Sequence, residues 1–125
     1  MYASTALQAL FLYGYKGYFM KESVFQGDLI REIKREFPGC IVLKNDPNYI
    51  QGIPDLLILY RDRWAALECK AEENSSHQPN QDYYILRMNK MSFARFIYPE
   101  NKEEILDELQ RSFRVRRISR LPISK

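Results

Sequence analysis

Large apolar side chains recur along the chain with two different spacings, and these spacings predict where helices and strands lie. A four-residue spacing predicts a helix over residues 22–37, because it forms one apolar stripe, made of Phe25, Leu29, Ile33 and Phe37. Short apolar runs bounded by turn-forming residues predict four strands, at residues 40–44, 55–60, 64–70 and 93–98. Two further helices are predicted, at residues 81–89 and 101–113.

The order of these elements is helix, strand, strand, strand, helix, strand, helix. It predicts an α/β fold in which helices flank a small mixed β-sheet. The polar run Arg61-Asp62-Arg63 predicts a tight turn that joins the second and third strands as a hairpin. Asn101 is the predicted N-cap of the last helix. With no repeats and no long linker, the 125 residues are predicted to form one domain.

The first twenty residues are apolar and form a predicted N-terminal extension. A short helix is expected at residues 4–13, where three apolar residues have helical spacing, Leu7, Leu10 and Phe11. Such a helix can pack on the core or against another copy of the chain. The apolar run is broken, well short of the roughly 20 residues that a membrane span needs, by Gly14, Lys16 and Gly17. It also lacks the signature of a signal peptide, so the expected compartment is the cytosol.

Several common catalytic signatures are missing from the sequence. Cys40 and Cys69 do not have the spacing of a zinc site, so both are predicted to be free, buried thiols. The single histidine, His77, lies in a polar loop, which argues against a histidine-based triad and is typical of a solvated residue. The sequence has no glycine-rich phosphate-binding loop with GK[ST], so hydrolysis of nucleoside triphosphates is not expected.

Basic charge is concentrated at the end of the chain. The whole chain has a net charge of +3, but residues 111–125 contain six basic residues and no acid. A basic tail of this kind favours a polyanion such as nucleic acid as the partner. The predicted DNA-binding residues in it are Arg111, Arg114, Arg116, Arg117 and Arg120.

Three charged residues lie in or at the ends of strands that should be half-buried, where charge is costly. Successive strand residues face opposite ways, so Glu68 and Lys70 share a face, and the hairpin brings Asp55 opposite residues 68–70. Two carboxylates so close repel each other unless a cation lies between them. Magnesium, with its preference for carboxylates, waters and a substrate phosphate, suits this position, and Lys70 could orient or deprotonate the attacking water. The alternative is a buried ion pair between Lys70 and one carboxylate.

The same residues carry a resemblance to a known family. Pro54-Asp55 followed by Glu68-Cys69-Lys70 resembles the P-D…(D/E)-x-K signature of the PD-(D/E)XK nuclease superfamily. The run GIPDLLIL is similar to the G-x-P-D strand of its VRR-NUC (virus-type replication-repair nuclease) branch. In that branch a helical glutamate precedes the motif and a glutamine opens the following helix. Glu22 and Gln81 match these positions, and Gln78 is the less suitable alternative to Gln81.

The resemblance covers about residues 20–110 and implies a restriction-endonuclease-like core. The catalytic set that it implies is Glu22, Asp55, Glu68, Lys70 and Gln81. Asp55 and Glu68 are expected to bind one or two Mg²⁺ ions, which Mn²⁺ can replace. The Cys69 carbonyl oxygen and waters are expected to complete the metal shell, with Glu22 nearby through water.

Without an attached extra domain, the chain resembles the stand-alone phage-type members of this branch. These are similar to endonucleases that cut Holliday junctions and other branched DNA as homodimers. The implied function is a structure-selective, metal-dependent endodeoxyribonuclease that acts as a homodimer on DNA. Two alternatives are a general or restriction-like nuclease, and a non-catalytic DNA-binding or assembly protein that keeps only the fold.

Overall fold

The structure is a computed structural model that describes the backbone of residues 21–120 and the side chains of residues 21–114. The predicted helix at residues 4–13 lies outside the described residues, and so do residues 121–125 at the end of the predicted basic tail. The same is true of the side chains of Arg116, Arg117 and Arg120.

A four-stranded sheet forms the centre of the described part of the chain. Its strands lie in the order in which they occur, β1 (Ile41–Lys44), β2 (Leu56–Tyr60), β3 (Arg63–Cys69) and β4 (Ala94–Ile97). The first three strands are antiparallel neighbours, whereas β3 and β4 run parallel. The sheet is therefore mixed, as the sequence predicts, and the parallel pair requires the crossover that the intervening helix supplies.

Three helices accompany the sheet, α1 (Glu22–Glu36), α2 (Gln81–Met91) and α3 (Lys102–Arg120). The predicted α/β class, with helices and a small mixed sheet, is confirmed. The α1 and α3 stripes pack on one face of the sheet and form the core. α2 packs against β3 and β4, and Gln81 is its one buried residue. No helix in residues 21–120 is long and apolar enough to cross a membrane.

The turn between β2 and β3 is shorter than predicted. Tyr60 pairs with Arg63, so the connection consists of Arg61 and Asp62 alone, with Arg61 at a positive φ of 58°. Arg63 is a buried first residue of β3 rather than an exposed turn residue, and its guanidinium donates to the Ser112 carbonyl at 2.7 Å. The prediction was wrong here because the partner of Arg63 is 49 residues away and has no local signature.

The start of α3 also differs from the prediction. A single 3₁₀ turn, Pro99–Asn101, precedes the helix, which begins at Lys102. The Asn101 side chain accepts the Tyr98 N–H at 2.8 Å and donates to the Phe96 carbonyl at 3.2 Å. Asn101 is thus not the N-cap of α3, because its side chain closes the preceding turn instead.

The basic end of the chain is not a separate tail up to Arg120. α3 continues through that residue rather than ending near Phe113, which is buried against Phe37 and Tyr60. Arg111 and Arg114, on either side of Phe113, are exposed on this helix. Part of the predicted tail is therefore a helical surface with a fixed relation to the core.

The two cysteines are free thiols, as predicted. Cys69 is fully buried, and burial raises the pKa of its thiol strongly, so it is not a reactive thiolate. Cys40 is only half-buried, because it precedes the edge strand β1.

Candidate active site

The β2–β3 hairpin places Asp55 beside Glu68. Leu56 pairs with Leu67, so the next pair toward the open end of the hairpin is Asp55 and Glu68. The Asp55 N–H donates to Glu68 Oε1 at 3.2 Å, and the Cys69 N–H donates to Asp55 Oδ2 at 3.0 Å. This pairing lies within the predicted range of residues 68–70, and it brings two carboxylates to one end of the sheet.

Lys70 and Gln81 complete a buried polar cluster with Glu68. All three side chains are less than a tenth exposed. The Lys70 ammonium donates to Gln81 Oε1 at 2.8 Å and to the Ser76 carbonyl at 2.9 Å, and it lies 3.8 Å from Glu68 Oε2. Gln81 Nε2 donates to that same Glu68 oxygen at 2.8 Å. Gln81 therefore bridges the lysine and the carboxylate, and the ion pair of the alternative interpretation is present as well.

Hydrogen bonds fix the orientation of the Gln81 amide. Its Oε1 accepts from both Lys70 and the backbone N–H of Gln78, at 2.8 Å each. Two donors on one atom identify that atom as the carbonyl oxygen, so the amide nitrogen must point to Glu68. Of the two glutamines considered from sequence, Gln81 contributes its side chain to the cluster and Gln78 contributes its backbone.

A close contact between two loops positions Asp55 relative to Gln81. Gly52 has a φ of +90°, and a Cβ at this position would lie 2.5 Å from Asn80 Cβ and 2.7 Å from the Pro79 carbonyl oxygen. Only glycine permits both the conformation and the approach. The loop before Asp55 thus rests directly on the residue before Gln81.

Burial disfavours ionisation of the three carboxylates, and repulsion by Asp55 adds to this effect at Glu68 and Glu22. Burial, then the negative charge of Asp55, raises the pKa of Glu68 to about 8. Burial raises the pKa of Asp55, although the Cys69 N–H and the charge of Lys70 oppose the shift. Glu22, the first residue of α1, is more exposed, but partial burial and then Asp55 raise its pKa too. The three carboxylates therefore share one electrostatic environment, in which additional positive charge would be favourable.

The donor chemistry fits a hard divalent cation. Asp55, Glu68 and Glu22 supply carboxylate oxygens, which Mg²⁺ prefers, and the excess of negative charge is what such an ion neutralises. Among the described residues, however, no three His, Cys, Asp or Glu side chains already form a metal-binding group. Glu68 instead uses both oxygens for hydrogen bonds with Asp55 and Gln81. The residues present fit the ion, and Glu68 would bind it by giving up one or both of these hydrogen bonds.

The predicted DNA-binding arginines that the structure describes are remote from this cluster. Phe113 stacks on Tyr60, which lies at the opposite end of β2 from Asp55. Tyr60 is five positions along the chain from Asp55, a distance of about 17 Å in a strand. Arg111 and Arg114 flank Phe113, so the structure does not bring them to the carboxylates.

One residue beside the cluster, His77, makes contacts that the sequence does not predict. His77 is exposed, as predicted for a solvated residue, but its ring stacks on Phe96 and its Nδ1 lies 2.7 Å from Asp82 Oδ1. Both contacts cross from a loop to a different element, and no sequence pattern indicates them. His77 is thus a fixed side chain at the edge of the site.

No protein-family model, curated protein or solved structure matches the chain. Function is therefore inferred from the residues of the cluster and their geometry.

Proposed function

We propose that the chain is a divalent-metal-dependent endodeoxyribonuclease of the PD-(D/E)XK type. The observation that carries the proposal is the convergence of Asp55, Glu68 and Lys70 at one end of the sheet, with Gln81 bridging the last two. A buried ion pair alone would need neither the second carboxylate nor the raised pKa values of the acids. Buried polar groups of this kind are costly for stability, which favours a role in chemistry.

The bound ion would polarise the scissile phosphate and lower the pKa of a coordinated water. Asp55 and Glu68 would hold this ion, with the Cys69 carbonyl oxygen as a further donor and Glu22 near enough to act through water. Lys70 is a hydrogen-bond donor in this arrangement, so its ammonium suits an attacking water or a phosphate oxygen. Gln81 holds Lys70 and Glu68 in a fixed relation, which lowers the cost of orienting both groups during the reaction.

The proposed substrate is branched DNA, such as a four-way junction, and the proposed active form is a homodimer. Support for this finer proposal comes from the resemblance to stand-alone nucleases and from geometry. A junction has paired strands to cut, whereas residues 21–114 contain a single cluster of this type. Two-fold symmetry is the commonest way to supply a second site. Sedimentation at micromolar concentration should show a dimer, and a monomer that cuts both strands in concert would contradict this.

Cleavage assays test the proposal directly. Linear, nicked, flapped and four-way DNA would be incubated with the protein in Mg²⁺ and in EDTA. Cleavage is expected only with the metal, and the junction should be cut fastest. Asp55→Asn should abolish cleavage while DNA binding remains, because a neutral amide is a poor ligand for the ion. The exposed loop residue Asp46 provides the matched control, since Asp46→Asn also removes one carboxylate.

Three results would contradict the proposal or refine it. Cleavage by Asp55→Asn at the parent rate would show that the site is assigned wrongly. Equal cleavage of every duplex would favour a general or restriction-like nuclease. DNA binding without cleavage in Mg²⁺ or Mn²⁺ would favour a non-catalytic DNA-binding protein.

A further inference from the structure

The imidazole of His77 is held on two sides. Its ring stacks on the ring of Phe96, with centroids 4.1 Å apart and planes 15° from parallel. Its Nδ1 lies 2.7 Å from Asp82 Oδ1, at the start of α2. Ordering a side chain costs conformational entropy, and these two contacts offset that cost. The contacts therefore fix one direction for the remaining ring nitrogen, Nε2.

His77 lies in a loop whose neighbouring residues contact the candidate active site. The Ser76 carbonyl accepts from the Lys70 ammonium at 2.9 Å, and the Gln78 N–H donates to Gln81 Oε1 at 2.8 Å. Phe96, the stacking partner, pairs with Glu68 across β3 and β4. The imidazole thus belongs to the rim of the carboxylate cluster, on the side of β4.

The chemistry of the ring selects an anion as its ligand. In the protonated imidazole both nitrogens donate, and the Asp82 carboxylate compensates the charge at Nδ1. Nε2–H is then directed away from Asp82, on a side chain that is 37% exposed. The second contact of the ring is with Phe96 of β4, which is uncharged. The Lys70 ammonium, which binds the carbonyl of Ser76 next to His77, adds positive charge nearby.

We propose that His77 is a substrate-binding residue whose Nε2–H donates to a backbone phosphate of the nucleic acid, next to the phosphate that is hydrolysed. Asp82 and Phe96 are positioning residues, which hold the ring in place. The inference rests on the proposed nuclease function for the identity of the ligand, since a phosphodiester backbone supplies phosphates on both sides of the scissile one.

Binding of a labelled four-way junction tests the contact without cleavage. The measurement would be made in EDTA at about pH 6, where imidazole side chains commonly carry a proton, over a range of salt concentrations. His77→Gln should weaken binding roughly threefold to tenfold, the effect of one exposed charge-assisted hydrogen bond. The slope of log affinity against log salt should fall by about 0.9, the value for one phosphate contact. His77→Arg should keep most of the affinity and most of the salt slope, because arginine retains the positive charge and the hydrogen-bond donors.

Two further variants separate a specific contact from general electrostatics. Arg31→Gln removes one positive charge from the exposed Arg31–Asp28 pair on α1, about nine residues along the helix from Glu22, and should leave affinity and slope unchanged. Asp82→Asn removes a negative charge, which by general electrostatics would strengthen DNA binding. We expect weaker binding instead, because the ring loses the group that orients it.

The inference fails if His77→Gln binds as the parent does, if Arg31→Gln loses as much as His77→Gln, or if Asp82→Asn binds more tightly. Equal thermal unfolding midpoints of parent and variants would show that weaker binding is not a folding defect, and His77→Arg tests the contact if His77→Gln unfolds. Failure of the proposed function has a different signature. If the parent cleaves junctions in Mg²⁺ and His77→Gln binds and cleaves equally well, only the histidine contact is wrong. If the parent does not cleave but binding depends on His77, only the nuclease assignment is wrong.

Discussion

The backbone N–H of Asp55 donates to a carboxylate oxygen of Glu68 at 3.2 Å, and the Asp55 carboxylate accepts the N–H of the residue after Glu68 at 3.0 Å. Each acid is thus tied to the backbone of the other strand. The spacing of the two carboxylates is therefore a property of the hairpin register, and a slip of one residue would turn the two side chains to opposite faces of the sheet.

Glu68 should make the metal-free protein less stable as the pH rises. Its folded-state pKa is about 8, against an ordinary value of 4.5. Below the ordinary value both states are protonated, and no penalty exists. Between about pH 5 and 8 the unfolded chain releases the proton while the folded chain retains it, so folding becomes progressively less favourable. Glu68→Gln removes this penalty, and its stability relative to the parent should increase across that interval.

Urea unfolding of parent and Glu68→Gln in EDTA, from about pH 4 to pH 9, measures this difference. A stability difference that is constant with pH would contradict the raised pKa. Adding Mg²⁺ at pH 8 should raise the unfolding midpoint of the parent more than that of the variant, because a ligand stabilises the state that binds it. Equal shifts would remove Glu68 from the metal site.

Loss of Lys70 should reduce the cleavage rate more than loss of Gln81. Positioned proton-transfer groups contribute about 10² to 10⁴ in rate, so Lys70→Ala is expected to lose on that order. Gln81→Ala should lose less, because Gln81 acts by holding its two neighbours. Single-turnover cleavage measures both effects, at a temperature below the thermal unfolding midpoint of every variant. Lys90→Ala, at the exposed end of α2, is the matched control, and normal turnover by Lys70→Ala would exclude the lysine from the mechanism.

The core of this site could be predicted from sequence because its geometry is local to one hairpin. The turn at Arg61 and Asp62 sets the register, and the register places Asp55 beside Glu68. The class of fold followed from apolar spacing for the same reason, since α1 buries a regular stripe and β2 buries alternate residues at its start. Lys70 lies two residues from Glu68, so strand alternation alone puts them on one face.

What could not be predicted from sequence depends on contacts between distant segments. Arg63 is buried because Ser112 offers it a carbonyl, and His77 is fixed because β4 supplies Phe96. Asn101 has the composition of an N-cap, but the Tyr98 N–H competes successfully for its side chain. In each case a contact that forms only in the folded chain, rather than the local sequence, determines where the polar side chain lies.

Gly52 should be far less tolerant of alanine than Gly39. Both have a φ close to +90°, so alanine at either site incurs the cost of the left-handed conformation, about 1–2 kcal/mol. A Cβ at Gly39 meets nothing within 4 Å, whereas a Cβ at Gly52 meets Asn80 and the Pro79 carbonyl oxygen below 3.0 Å. The difference between the variants thus isolates the contact between the two loops.

Chemical denaturation should show a larger loss of stability for Gly52→Ala, and cleavage should fall more for it than for Gly39→Ala at matched fractions folded. The reason is that Asn80 immediately precedes Gln81, so displacing it disturbs the bridge between Lys70 and Glu68. Equal losses in both variants would show that the loop contact does not position the site.

Arg111 and Arg114 should affect the salt dependence of DNA binding without affecting the chemistry. Both are exposed on α3 at the end of the sheet away from Asp55, about 17 Å along β2. A duplex that reaches both the carboxylates and these arginines would span about five base pairs, since each adds about 3.4 Å. Replacing both with glutamine should lower the slope of log affinity against log salt by up to about 1.8, because each phosphate that an arginine neutralises contributes about 0.9 to the slope.

The cleavage rate at saturating DNA and the stabilisation by Mg²⁺ should remain those of the parent, because neither arginine lies near the carboxylates. The matched control removes two positive charges from α1, with Arg31→Gln and Arg35→Gln. If this control lowers the slope as much as the α3 pair does, the contribution is one of net charge rather than of direct binding to phosphate. If neither pair changes the slope, the DNA path lies elsewhere on the surface and the α3 arginines are not part of it.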